Sequence, residues 1–253
     1  MKQLILRKIF ASQAKPKLYS TRSGPNLIWK TGDNLFADLS VMFMAHFANS
    51  LWKKANKKIK MQTYGIYPCG NDRGFIECVD NVCALREYKF SNLRCSKQFL
   101  GSLAGACLIG WVLGIRDRHQ DNQLILTKSG KTLLVPIDFG FLFNSGPMID
   151  APRISFPNRM LDEMKKANKI KPFIQLTLSG YETLYDNQEL VASLGEYLFP
   201  AQFSEYFNTK TFFHLEKAKA MESFENKLTK KCSGKGLKHQ VKDIAHNFKI
   251  SRS

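Results

Sequence analysis

Residues 116–143 read RDRHQDNQLILTKSGKTLLVPIDFGFLF, and no other stretch limits this chain's fold so tightly. A short strand around Gln123-Leu124-Ile125-Leu126, the turn Lys128-Ser129-Gly130-Lys131 and a strand from Thr132 to Ile137 spell a β-hairpin. A hairpin brings its two flanks together. Here the flanks are polar and rich in oxygen ligands: Asp117, His119 and Asn122 on one side, Asp138 on the other.

That grouping has a chemical meaning. Phosphoryl transfer needs carboxylate and amide oxygens that hold Mg²⁺ against a triphosphate, and a group that orients or deprotonates the acceptor hydroxyl. Asn122 and Asp138 have the ligand chemistry for the ion. His119 suits the general base, since an imidazole titrates near about 6.5, and Asp117 suits a residue that orients the nucleophile or His119. The order DRHxxN differs from the HRDxxxxN of ordinary protein kinases.

The rest of the chain is read around that hairpin. Before it, strand patterns cover Leu4–Phe10, Leu18–Thr21, Asn26–Lys30, Tyr64–Tyr67 and Gly74–Val79, and a helix is expected from Leu35 to about Lys54. After Asp80-Asn81 the pattern turns helical, and from about Leu161 onward it is helical again. The switch near residue 80 suggests a small β-rich unit followed by a larger α-rich one. With 253 residues and 44% hydrophobic content the chain has ample material for a packed core, which excludes a largely disordered chain.

Several features bear on location. The formal charge of +17 attracts polyanions without naming one. The run Phe99–Ile115 is uncharged, with Gly101/Gly105 and Gly110/Gly114 at four-residue spacing; it reads as a fully buried helix or a minimal membrane span. Residues 1–32 are basic without an acid and could pass for a transit peptide, although strands account for the same residues. None of the six cysteines has zinc spacing, so reduced thiols in a cytoplasmic protein are expected.

With DRHxxN at 117–122 and IDFG at 137–140, the sequence resembles the phosphatidylinositol 3-/4-kinase family over roughly Phe10 to Leu194. Arg116 before the aspartate, Phe141 after the glycine, and Gly74-Phe75-Ile76-Glu77-Cys78-Val79 lean toward the type III alpha phosphatidylinositol 4-kinases. The resemblance implies an α+β, two-lobed, protein-kinase-like fold, with a small antiparallel β-rich N-lobe over 1–80 and a larger, mostly helical C-lobe over 81–253. It implies ATP and Mg²⁺, with Mn²⁺ as an alternative. Ser12 and Lys15 resemble the phosphate-binding turn, Lys30 the strand lysine on the α-phosphate, and Asp38 the helix acid that pairs with it. Tyr64 resembles an inner-pocket tyrosine, and Glu77 and Val79 the hinge whose main chain meets adenine. Asp117 and His119 take the catalytic positions, Asn122 and Asp138 the metal positions, and the lipid-facing loop contributes Arg153 and Arg159.

The activity so implied is transfer of the ATP γ-phosphate to phosphatidylinositol in an anionic membrane surface, at the 4-hydroxyl. The alternatives are a phosphatidylinositol 3-kinase and a Ser/Thr protein kinase of the related group. Peripheral membrane association and an accessory protein subunit fit the resemblance, and no nucleic acid partner is expected. At the tail, Leu237, Val241, Ile244 and Phe248 share a helical face ringed by lysines and suit a membrane contact or packing on the α-rich unit. One departure stands out. Where the family reads GDDLRQD, this chain reads Gly32-Asp33-Asn34-Leu35-Phe36-Ala37-Asp38, which removes a polar contact at the lobe junction and predicts lower activity.

Overall fold

The computed structural model describes residues 4–11, 15–146, 154 and 156–233. Ser12, Arg153 and the amphipathic tail beyond Ser233 lie outside the described residues.

The chain opens with strands β1 (Ile5–Ile9), β2 (Lys17–Ser20) and β3 (Leu27–Thr31). Helix α1 (Leu35–Lys54) follows, then β4 (Ile66–Pro68) and β5 (Arg73–Glu77). These strands form an antiparallel sheet in the order β1-β2-β3-β5-β4. The Asn34 side chain caps α1 by accepting the Phe36 N–H at 3.0 Å. The helix buries Leu35, Val41, Met44, Ala48 and Trp52 on one face. Asparagine caps as well as aspartate does, so the first departure from GDDLRQD leaves the helix start intact. The second leaves Phe36 half exposed.

Beyond Asn81 the sequence expectation needs correcting. Val82–Ala84 is a strand, β6, not the start of a helix. It pairs with the hairpin formed by β7 (Gln123–Lys128) and β8 (Lys131–Pro136), giving a second antiparallel sheet in the order β6-β7-β8. Three residues are too few for a period to show, and this strand's identity comes from its partner.

Helix α2 (Lys97–Val112) is capped by Ser96, which accepts the Phe99 N–H, and nearly every residue in it is buried. Two of its glycines, Gly101 and Gly105, are explained by close backbone approach. A Cβ on Gly101 would lie 2.2 Å from the Lys58 carbonyl oxygen, and one on Gly105 would lie 2.4 Å from the Met61 nitrogen. The segment 58–61 therefore lies directly on α2, and Asn49 of α1 grips it from the other side through both the N–H and the C=O of Met61. Among the described residues no helix is long and apolar enough to cross a membrane.

Helices α3 (Asn158–Lys166), α4 (Ile170–Tyr185), α5 (Gln188–Leu198), α6 (Phe203–Lys210) and α7 (Lys217–Cys232) complete the fold, which is mixed α+β with antiparallel sheets. Buried aromatics hold these helices to α2: Trp111 packs on Phe212 and Phe224 and donates its indole N–H to the Thr211 carbonyl at 3.1 Å. The Trp52 indole makes the matching link from α1 to the Gly180 carbonyl at 3.0 Å. Each fully buried large side chain of this kind contributes about 1.5–3 kcal/mol. The result is a rigid base under the open end of the β7–β8 hairpin.

Candidate active site

The register of the hairpin decides which residues meet. Gln123 pairs with Pro136, and one step further the Ile137 N–H donates to the Asn122 carbonyl at 3.1 Å. Asn122 therefore lies opposite Ile137 and one residue from Asp138. The loop before β7 and the loop after β8 are also laced together. Arg116 N–H donates to the Phe141 carbonyl at 2.9 Å, Phe143 N–H to Leu113 at 2.8 Å and Asn144 N–H to Gly114 at 3.0 Å.

Arg118 is the clamp between the two loops, a role the motif did not reveal. Its guanidinium is buried and, among the described residues, donates to main-chain carbonyls: Arg116 at 2.9 Å, Ile137 at 2.7 Å, Asn122 at 3.4 Å, and Asp138. It also lies 5.3 Å over the Phe139 ring. Burial pushes its pKa down, opposed by the carboxylates of Asp138, Asp117 and Asp38. A guanidinium keeps its proton under that pressure, so it supplies a fixed charge beneath the site.

On the first loop, His119 is buried with its Nε2 3.5 Å from Asp117 Oδ2. Its Nδ1 accepts the Asp121 N–H at 3.2 Å, which puts the proton of the neutral ring on Nε2, facing Asp117. Asn122 donates Nδ2 to Asp117 at both the main-chain oxygen, 3.0 Å, and Oδ2, 3.4 Å. Its amide oxygen is thereby left available. Asp121 is held by Arg86, whose Nε and Nη2 both reach its carboxylate at 2.8 Å. Arg86 and Asp121 carried no pattern that singled them out, since their pairing spans 35 residues.

Asp117 and Asp138 both have left-handed backbones, with φ of 57° and 60°. Aspartate tolerates this region better than most residues, but the conformation still costs energy that the surrounding bonds must hold.

The sheet side supplies the cation. Lys30 on β3 forms an ion pair with Asp33 and sits 3.8 Å from Asp138 Oδ2. Burial acts to lower its pKa, yet Asp138, Asp33 and Asp38 outweigh it and the net shift is upward. The expected Lys30–Asp38 ion pair is corrected here. Asp38 instead accepts the Phe139 N–H at 3.1 Å, from α1 across to the loop after β8, and feels Lys30 only at longer range. Burial pushes the Asp38 carboxyl up to about 6, the Phe139 N–H pulling the other way.

The remaining expected residues divide. Tyr64 is buried beneath the site, with its hydroxyl donating to the Pro136 carbonyl at 3.3 Å; burial drives its pKa well above the ordinary value. Glu77 is engaged with Gly65, accepting its N–H at 2.8 Å and donating its own N–H back at 2.8 Å. The Cys78 N–H is taken by Asn26, whereas the Val79 N–H meets no acceptor among the described residues. Lys15 is exposed in the β1–β2 turn with φ of 42°. Arg159 is exposed on α3, in a groove with Arg86 and Lys166, and is not brought to Asp117 or Asp138.

Among the described residues no group of three His, Cys, Asp or Glu side chains could hold a metal alone. One carboxylate and one amide oxygen at a loop end fit a hard cation whose shell is completed by phosphate oxygens and water, which is how Mg²⁺ binds beside a nucleotide.

Comparison with known proteins agrees with this geometry. Residues 88–196 match the family model for phosphatidylinositol 3- and 4-kinase. The phosphatidylinositol 3-kinase catalytic subunit type 3 of Caenorhabditis elegans is 25% identical, the match covering 88% of this chain and 28% of that protein. Phosphatidylinositol 3-kinase VPS34 of Saccharomyces cerevisiae is 26% identical over 75% of this chain and 24% of its own length. Phosphatidylinositol 3-kinase piki-1 of Caenorhabditis elegans is 31% identical over 52% of this chain and 10% of its own length. The chain thus spans about a quarter or less of the length of these relatives, and all three are named as 3-kinases, which corrects the leaning toward type III alpha 4-kinases. The matched segment contains both loops, and over it the chain is similar to the phosphatidylinositol 3- and 4-kinase family.

Proposed function

We propose that this chain is a lipid kinase that transfers the γ-phosphate of ATP to an inositol-ring hydroxyl of phosphatidylinositol. The names of the relatives favour the 3-hydroxyl over the 4-hydroxyl. The observation that carries the reading is the convergence at the open end of one hairpin: Asp117, His119 and Asn122 on one loop, Asp138 on the other, with Lys30 3.8 Å from Asp138. The two-lobed kinase arrangement, divided near residue 80, belongs to the same proposal. It is supported by β6 pairing with β7 rather than with the first sheet.

In this reading Lys30 meets the nucleotide phosphates, with Asp33 and Asp138 fixing its position. The unclaimed Val79 N–H and the neighbouring main chain receive the adenine edge, and Ser12 and Lys15 cover the phosphates. Asn122 and Asp138 hold the metal ion, which supplies charge neutralisation on the transferring phosphate. Asp117 and His119 act as one proton-accepting pair, with His119 Nε2 3.5 Å from Asp117 Oδ2. Arg153 is the candidate headgroup contact, Arg159 lying in the groove with Arg86 and Lys166 instead, and the protein works at a membrane surface from outside the bilayer.

Incubation with labelled ATP and phosphatidylinositol vesicles, followed by chromatographic separation of the product isomers, tests the proposal. Phosphatidylinositol 3-phosphate is the expected product, lost in Asp138→Asn. Undiminished turnover in that variant would sink the reading, and phosphate appearing in protein but not lipid would favour the protein-kinase alternative.

A further inference from the structure

The hairpin whose open end carries the candidate active site carries something else at its closed end. Lys131, in the β7–β8 turn, borders a groove of about 1060 Å³ between the C-terminal half of α1, residues 56–63, the first turn of α2 and the start of β8. From the Gln123–Pro136 pair to the Lys128–Lys131 pair is five residues of strand, about 17 Å. The groove is therefore a separate place from the loops around Asp117 and Asp138.

Its lining is one-sided in charge. Lys53, Lys57, Lys58, Lys60, Lys97 and Lys131 all border it, and no Asp or Glu does. None of the six forms an ion pair with a described residue, although other lysines, such as Lys30, Lys166 and Lys217, do. Four separate elements contribute them, so the cluster is a product of the fold and not of the basic run at 53–60 alone. The walls are also rigid. The segment bearing Lys57, Lys58 and Lys60 is seated on Gly101 and Gly105, and Asn49 locks it through two hydrogen bonds to Met61 at 3.0 and 2.9 Å. The first turn of α2 adds the positive end of a 16-residue helix.

Six like charges held around one concavity repel each other in the absence of a counter-ion, and a ligand dense in negative charge relieves that repulsion. The shape narrows the ligand further. No Phe, Tyr or Trp lines the groove, so it offers no platform on which a nucleobase could stack. The six lysines come from four elements and border one cavity, which suits a compact anion more than a polymer. We propose that this groove binds a compact, multiply phosphorylated anion of inositol-polyphosphate type, at a site independent of ATP.

Isothermal titration with inositol hexakisphosphate at about 0.15 M salt, where non-specific attraction is largely screened, tests this on the whole chain. One molecule per chain is expected to bind. Lys57→Glu/Lys58→Glu/Lys60→Glu should weaken binding by at least about tenfold. Lys171→Glu/Lys219→Glu/Lys227→Glu, the same charge change outside the groove, should leave it within about threefold, and Asp138→Asn should not alter it. Should the groove triple variant fail to fold, Lys97→Gln/Lys131→Gln serves in its place. Phosphatidylcholine vesicles with and without phosphatidylinositol 4,5-bisphosphate identify the source. Capture that is lost with the groove variant assigns the anion to a lipid headgroup, and soluble binding without capture assigns it to a free polyphosphate. No binding, equal loss in both triple variants, or capture of single-stranded RNA with no response to the polyphosphate would overturn the proposal.

Discussion

The Asp38 carboxylate on α1 accepts the main-chain N–H of Phe139 at 3.1 Å, joining residues 101 positions apart across the candidate active site. This bond ties the helix that follows the Lys30 strand to the loop that carries Asp138. It makes a buried, partly desolvated acid responsible for the spacing between the two halves of the site.

A pH dependence of stability follows. Asp38 has its folded pKa raised from 3.8 to about 6, mainly by burial. The folded state therefore holds more protons than the unfolded state between about pH 4 and 6. Stability is full below that window and falls as pH rises through it, by roughly 3 kcal/mol over the whole shift. Asp38→Asn keeps an acceptor for Phe139 and should remove this part of the slope in urea titrations at pH 4.5 and 7. Asp38→Ala should also cost about 1–3 kcal/mol for the orphaned Phe139 N–H. An unchanged slope in Asp38→Asn would refute the assignment.

Arg118 cannot be replaced conservatively. Lysine has neither the planar fork nor the reach to serve carbonyls on both loops at once. Arg118→Lys should lower kcat by about 10²-fold with a smaller change in KM for ATP, because the loops lose their mutual position while Asp33 still holds Lys30. It should also destabilise the fold by about 2–4 kcal/mol, from unpaired buried carbonyls. Steady-state kinetics and denaturant titration measure the two effects separately, and a KM increase at constant kcat would contradict the clamp.

Gly101→Ala meets the Lys58 carbonyl oxygen, a main-chain atom with no room to retreat. The expected cost is about 1–3 kcal/mol, read as a lower Tm, and it should weaken polyphosphate binding in the lysine groove as the segment 56–61 lifts. A neutral substitution would show that this segment is not seated on α2.

The Asp117–His119 pair predicts coupled losses. Asp117→Asn and His119→Ala should each reduce turnover by about 10²–10⁴-fold, and the double variant should lose little more than the worse single one. Multiplicative losses would mean that the two residues act independently.

The sequence by itself determined local structure where a period had room to repeat. Helix α1 runs from Leu35 to Lys54 as its apolar spacing indicated, and β7 and β8 flank the KSGK turn. Because a hairpin's register follows from its turn, Asn122 and Asp138 were also legible as neighbours. What failed was short or long-range. β6 spans three residues and exists through its pairing with β7; Lys30 chose Asp33 and Asp138 over Asp38; and Arg86 found Asp121. Helix α2 is buried as expected, but that Gly101 and Gly105 open it to a crossing segment was not legible. The gathering of Lys97 and Lys131 with the lysines of 53–60 belongs to the same class. Periodicity and turn chemistry are written along the chain, so they can be read there. The partner of a charge, and the surface a glycine exposes, are set by distances across the folded core, and only the tertiary structure decides them.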